Sequence, residues 1–198
     1  MARKFTRKGK SLSQRVAKLE IKSRPEVKFE TGTSGAFDTI GSVSGTMLYP
    51  QVLTSGTARD ERIGNKVKSR NIKFQAIIKM PDGPANSTCA VRVLALRSKK
   101  EDPVGLEMNN WYEPVDEDKF FVIKDILTQV SSRTGAPTTL YGSTLKKIVF
   151  NLPEKYRKLQ YDGTASQSPT NSETIIYILA ENQSAEIAYN WTHYYLDN

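Results

Sequence analysis

Two periods divide the chain. Between Ser11 and Arg24 the apolar residues fall at helical spacing. Leu12, Val16 and Leu19 sit at i, i+4, i+7 on one face, and Arg15, Lys18 and Lys22 share another. Ser11 and Gln14 form an S-x-x-Q capping box, which satisfies free backbone N–H groups at a helix start, and Pro25 ends the run. The spacing predicts a short amphipathic helix. At that length an isolated helix is marginal, so it is expected to form against a partner.

From Val27 onward β-branched and aromatic runs separated by turn residues take over. Strands are predicted at 27–31, 66–80, 88–97, 119–131, 144–152, 158–162, 173–181 and 185–196. In 66–80, Ile72, Phe74, Ala76, Ile78 and Met80 alternate with Asn71, Lys73, Gln75 and Lys79, the mark of a strand with one buried face. The run 119–131 is apolar on both parities and 173–181 is apolar throughout, so both are expected to be covered on two sides. Residues 103–112 read as a helix or long loop. Eight strands without intervening helices imply antiparallel pairing. Long connections at 50–65, 98–118 and 131–143 disfavour a simple meander or an immunoglobulin-like sandwich. The expected fold is all-β, an eight-stranded antiparallel jelly-roll sandwich of two four-stranded sheets. A basic, partly helical arm (residues 1–26) precedes this domain (residues 27–198).

Charge sharpens the division. The chain carries 29 Lys+Arg and 21 Asp+Glu, a net charge of +8. Residues 1–28 hold ten basic and two acidic side chains, leaving nineteen basic (29 less 10) and nineteen acidic (21 less 2) groups elsewhere. All the net charge therefore lies at the N-terminus. Arg3, Lys4, Arg7, Lys8, Lys10, Arg15, Lys18 and Lys22 are the expected contacts to a polyanion, because each Lys or Arg that neutralises a phosphate releases counterions without reading sequence. The apolar face of the arm helix lacks Trp and Phe anchors, which disfavours a membrane surface. No apolar run reaches the roughly 20 residues that span a bilayer. No apolar stretch follows the basic start, so no secretory signal is expected and the sequons at Asn86, Asn182 and Asn190 should remain unmodified.

Candidate chemistry is sparse. The chain has one cysteine, Cys89, and one histidine, His193. That rules out an intrachain disulfide framework and a His/Cys metal cluster, and leaves little for nucleophilic catalysis. No GxxxxGK[ST], GxGxxG or HExxH is present, and Gly41–Gly45 carries Val43 where a nucleophile elbow needs Ser. His193, within an aromatic run, is expected to be a packed histidine. No cofactor is expected. Asp116, Glu117 and Asp118 are weak candidates for a calcium site made of oxygen donors.

The segment 56–67 (GTARDERIGNKV) is a charged turn leading into a strand, with Arg62, Lys66, Lys68 and Arg70 at short intervals. It reads either as a solvated strand start or as a second phosphate-contacting patch beside the arm. The run GTARDERIGNKVKSRNIKF resembles the turn and strand C of single jelly-roll capsid proteins. These are the coat proteins of circular Rep-encoding single-stranded DNA viruses (circovirus-like) and of satellite tobacco necrosis virus. Phe120–Asp125 resembles part of strand E, Phe150–Pro153 the end of strand F, and Leu159–Gly163 strand G, in the same order. The resemblance implies two sheets, B-I-D-G and C-H-E-F, and sixty copies in a T=1 icosahedral shell. It also implies an inward arm holding a packaged single-stranded DNA or RNA genome. The shorter mixed Lys/Arg arm is closer to the satellite-virus type. Sixty arms of +8 would supply about 480 positive charges to neutralise phosphates. The implied location is the virion, with the host nucleus or cytoplasm during assembly. The alternative is a non-capsid nucleic-acid-binding module, nucleoprotein-like. A jelly-roll enzyme or lectin of cupin type needs more histidines than one.

Overall fold

The structure is a computed structural model. It describes residues 12–13, 26–41, 45–58, 60–81, 88–99, 108, 110–132, 144–162, 168–182 and 184–197. Nine strands are formed in chain order: β1 (Val27–Thr33), β2 (Asp38–Thr39), β3 (Thr46–Leu48), β4 (Lys66–Lys79), β5 (Thr88–Ser98), β6 (Phe120–Ser131), β7 (Lys146–Gln160), β8 (Thr174–Ala180) and β9 (Glu186–Asp197). They make two antiparallel sheets. One runs β1-β9-β4-β7, with two-residue β2 also on β9; the other runs β3-β8-β5-β6. Within the arm, Leu12 and Ser13 are helical. The rest of the expected helix and all eight of its basic candidate residues lie outside the described residues.

Period two explains why the sheets face each other. Ile72, Phe74, Ala76 and Ile78 of β4 meet Ile148, Phe150 and Leu152 of β7 and Ile187 of β9. These close against Val91, Val93 and Ala95 of β5 and Ile176, Ile178 and Ala180 of β8 in one core. The Phe74 and Phe150 rings stack with centroids 4.8 Å apart. Gly32 lies opposite Trp191, and a side chain added there would strike the indole. The fold is thus a two-sheet β-sandwich.

β8 is buried along its whole length, as its apolar run predicts. Its second face, with Leu94, Leu96 and Phe120, is covered by Met108, Trp111 and Val115. Arg92 pins this cover. Its guanidinium donates to the carbonyls of Trp111 and Glu113 and holds Asp125 by two bonds of 3.0 and 2.7 Å.

Four expectations are corrected. Nine strands form rather than eight: two short strands, β2 and β3, sit in the Gly/Ser/Thr-rich stretch where no period shows, and two expected strands merge into one. The segments 144–152 and 158–162 are one strand: Pro153 does not break β7, which among the described residues is an edge strand paired with β4. Lys155 and Tyr156, both at positive φ, carry the irregularity instead. The strand at 66–79 does not sit in a sheet apart from the first and last strands, as a strand C would; it pairs with β9 directly. Finally, β6 is not covered on both sides. It is an edge strand with Phe121, Val122 and Leu127 exposed.

Candidate nucleic-acid interface

The two outer faces of the sandwich differ in chemistry. Residues directly opposite in an antiparallel pair share a face, so the register fixes which side chains point away from the core on the β1-β9-β4-β7 sheet. Lys66 lies opposite Gln160, Lys68 opposite Lys158, Lys73 opposite Asn151, Gln75 opposite Val149, and Ile77 opposite Lys147. On the other side of β4, Lys73 faces Thr192, Gln75 faces Asn190 and Lys79 faces Glu186. Six lysines therefore stand on one face, and the acid opposite them, Glu186, is bound to Lys79 at 3.3 Å. Lys66, Lys68, Lys73, Lys147 and Lys158 make no ion pair among the described residues.

An aromatic pair sits among them. Phe29 of β1 pairs with Tyr194 of β9, their ring centroids 6.4 Å apart, and Lys73 Nζ lies 5.2 Å from the centre of the Tyr194 ring. Beside them a groove is lined by Lys73, Gln75, Val149, Asn151, Asn190 and Thr192. Asn71 Nδ2 donates to Asn151 Oδ1 at 2.8 Å.

The cover over the β3-β8-β5-β6 sheet differs. Its described residues include Glu113, Asp116, Glu117 and Asp118, but Arg92, Lys99 and Lys119 lie against them, so charges of both signs alternate there.

Of the four body residues expected to touch phosphate, Lys66 and Arg70 are exposed and Lys68 is half-exposed on β4. Arg62 is corrected: it is fully buried. Its guanidinium lies 4.6 Å from the centre of the Tyr161 ring and donates to the Gly64 carbonyl and to Asn65 Oδ1. It shapes the turn and is closed to a ligand. Sequence reasoning missed Lys73, Lys147 and Lys158, which share the outward face with Lys68. The signal present was lysine on the outward parity of two strands; the pairing of β4 with β7 was not readable.

The weak calcium candidates lie in a loop among other contacts. Asp116 is engaged by Lys119 at 3.3 Å and by the Asp118 N–H at 3.0 Å. Among the described residues no three His, Cys, Asp or Glu side chains converge to hold a metal ion.

A buried polar cluster closes one end of the sandwich. Glu154 accepts from Arg157 Nε at 2.5 Å, from Arg97 at 3.2 Å and from Thr174 Oγ1 at 3.1 Å. Gln51 Oε1 accepts from Arg157 and from the Thr174 N–H. His193 Nε2 and Ser69 Oγ are 2.8 Å apart. That pair is fully buried, and among the described residues His193 Nδ1 has no hydrogen-bond partner. A Ser–His nucleophile needs an orienting acid on Nδ1 and a path for substrate, and this pair has neither. Burial, with the Arg157 charge adding to it, pushes the imidazole down to about 3, so it is neutral at physiological pH.

No protein-family model matches the chain, and no curated protein matches it.

Proposed function

We propose that the chain is a capsid subunit with a jelly-roll body, which binds a single-stranded genome through its basic arm and closes into a small icosahedral shell. The strand order carries the reading. With two-residue β2 set aside, the eight remaining strands lettered B to I in chain order give B-I-D-G facing C-H-E-F. This is the double Greek-key order that the motif resemblance implies. The lettering moves the 66–79 strand from C to D, Phe120–Asp125 from E to F, and Phe150–Pro153 from F to G, where it shares one strand with Leu159; the strand order, and not the motif placement, supports the reading.

Two further features support it. The arm enters at β1, an edge of the sheet whose outer face carries the lysines, so arm and face address the same polyanion. The lysine face then turns inward, towards the genome, and the mixed-charge cover of the other sheet turns outward. The edge strand β6 exposes Phe121, Val122 and Leu127. Exposed apolar side chains on one edge strand suit a contact with another copy. The arm neutralises phosphates without base readout, and symmetric contacts complete the shell. Negative-stain microscopy of protein purified with its nucleic acid tests this. Uniform closed particles are expected; a dispersed monomer with nucleic acid present would defeat it. Nuclease typing of the particle contents distinguishes DNA from RNA.

A further inference from the structure

We propose that the outer face of the β1-β9-β4-β7 sheet is itself a binding surface for single-stranded nucleic acid, with an unpaired base seated at Phe29, Tyr194 and Lys73. The inference rests on the reading that this chain contacts nucleic acid, and assigns a second site, on the body, beyond the arm.

The first observation is electrostatic. Lys68 and Lys158 stand directly opposite each other across β4 and β7. Like charges in that position destabilise a sheet, and neither has a carboxylate partner among the described residues. Lys66 follows two residues along the same face, about 7 Å away. The arrangement is unfavourable in the free subunit and favourable once phosphates bridge it.

The second observation is the aromatic pair. Phe29 and Tyr194 are half-exposed on the outward face, tilted at 47° to one another, with the Lys73 ammonium beside the tyrosine ring. Aromatic side chains in the middle of a lysine-bearing sheet give bases a stacking surface. In a duplex both faces of each base are already stacked, so the surface favours unpaired bases. The third observation is the neighbouring groove. Gln75, Asn151 and Asn190 offer amide donors and acceptors, and Thr192 a hydroxyl, in a groove that shares Lys73 with the aromatic pair. In the sequence β1 follows the arm directly.

The test uses the full chain with fluorescein-labelled (dT)20, the corresponding 20-base-pair duplex, and a (dT)20 carrying 5-iodouracil for photocrosslinking. Crosslinks are expected at Phe29 or Tyr194 as well as in the arm. Tyr194→Ala should weaken (dT)20 binding roughly tenfold. The triple variant K68A/K73A/K158A should lower the salt slope by about 2, at roughly 0.7 per phosphate for a single strand. Lys158→Glu should raise the melting temperature of the free protein while weakening binding, a pairing of effects that a purely structural lysine would not give. Crosslinks confined to residues 1–26 with an unchanged salt slope would overturn the sheet site and leave the arm reading standing. Equal affinity for duplex and (dT)20, with no crosslink on the aromatic pair, would overturn the base seat. No binding of either probe at low salt would overturn both readings.

Discussion

Lys28 Nζ lies 2.8 Å from Asp197 Oδ2, with the two side chains 6% and 20% exposed. The same ammonium donates to the Glu61 carbonyl at 2.7 Å. One buried lysine at the root of the arm thus fastens β1 to the end of β9 and to the 54–62 turn. Lys28 was counted with the arm's charges, yet it points inward and is satisfied there. Lys28→Ala should cost about 3 kcal/mol in urea unfolding, because it leaves the Asp197 carboxylate part-buried without its partner. Adding Asp197→Asn should recover part of the loss; a single-variant loss below ~0.5 kcal/mol would show the clamp to be unimportant.

Glu154 is the only carboxylate shown bonding two arginines, Arg97 and Arg157, and its side chain is fully buried. Glu154→Gln should destabilise by about 3–5 kcal/mol, since both guanidiniums lose their countercharge in a low-dielectric setting. Burial already holds the Arg157 guanidinium below its usual range, with Glu154 opposing that shift. A chevron or equilibrium melt showing a change under ~1 kcal/mol would contradict the role given to this cluster.

His193 and Glu173 predict opposite pH limbs. Burial lowers His193 to about 3, against about 6.5 when unfolded. The unfolded chain therefore binds the proton first, and stability is lost as pH falls from about 6.5 towards 3. His193→Gln should flatten that acid limb. Glu173 is raised to about 7, burial outweighing the opposing effects of Ser168 and Arg157. Its contribution is full below about 4.5 and lost as pH rises through 7. Glu173→Gln should remove this upper limb. Melting temperatures from pH 4 to 8 for the two variants check both signs.

Leu127 and Val122 lie on the edge strand β6 and are 63% and 42% exposed. Leu127→Lys and Val122→Lys should leave the melting temperature of the isolated subunit within a few degrees, because neither side chain packs in the core. Both should abolish assembly. Particles formed normally by both variants would remove this flank from the intersubunit contacts.

What the sequence made legible follows from the range of the interactions. β4, β5, β8 and β9 were readable because alternation or a continuous apolar run is a local signal that burial later confirms. β3 was hidden because three residues after Gly45 carry no period. β7 was cut in two because Pro153 reads as a stop, and only its place on an edge strand makes it tolerable. β6 misled for the converse reason: Phe121, Val122 and Leu127 are apolar on a surface that is open in the isolated chain. Arg62 read as a solvated charge because nothing local announces the Tyr161 ring 4.6 Å away. The lysine face stayed invisible because Lys68 and Lys158 are brought together only by strand pairing across ninety positions of sequence.

Sedimentation velocity of the full chain with single-stranded nucleic acid, at low and high salt, tests the central claim most directly. Sixty copies of a 22.2 kDa chain should sediment as one boundary of about 1.3 MDa of protein plus its nucleic acid. Removing residues 1–24 should strip the nucleic acid from that boundary. A chain that stays monomeric at every salt concentration, with nucleic acid bound or absent, would contradict the account.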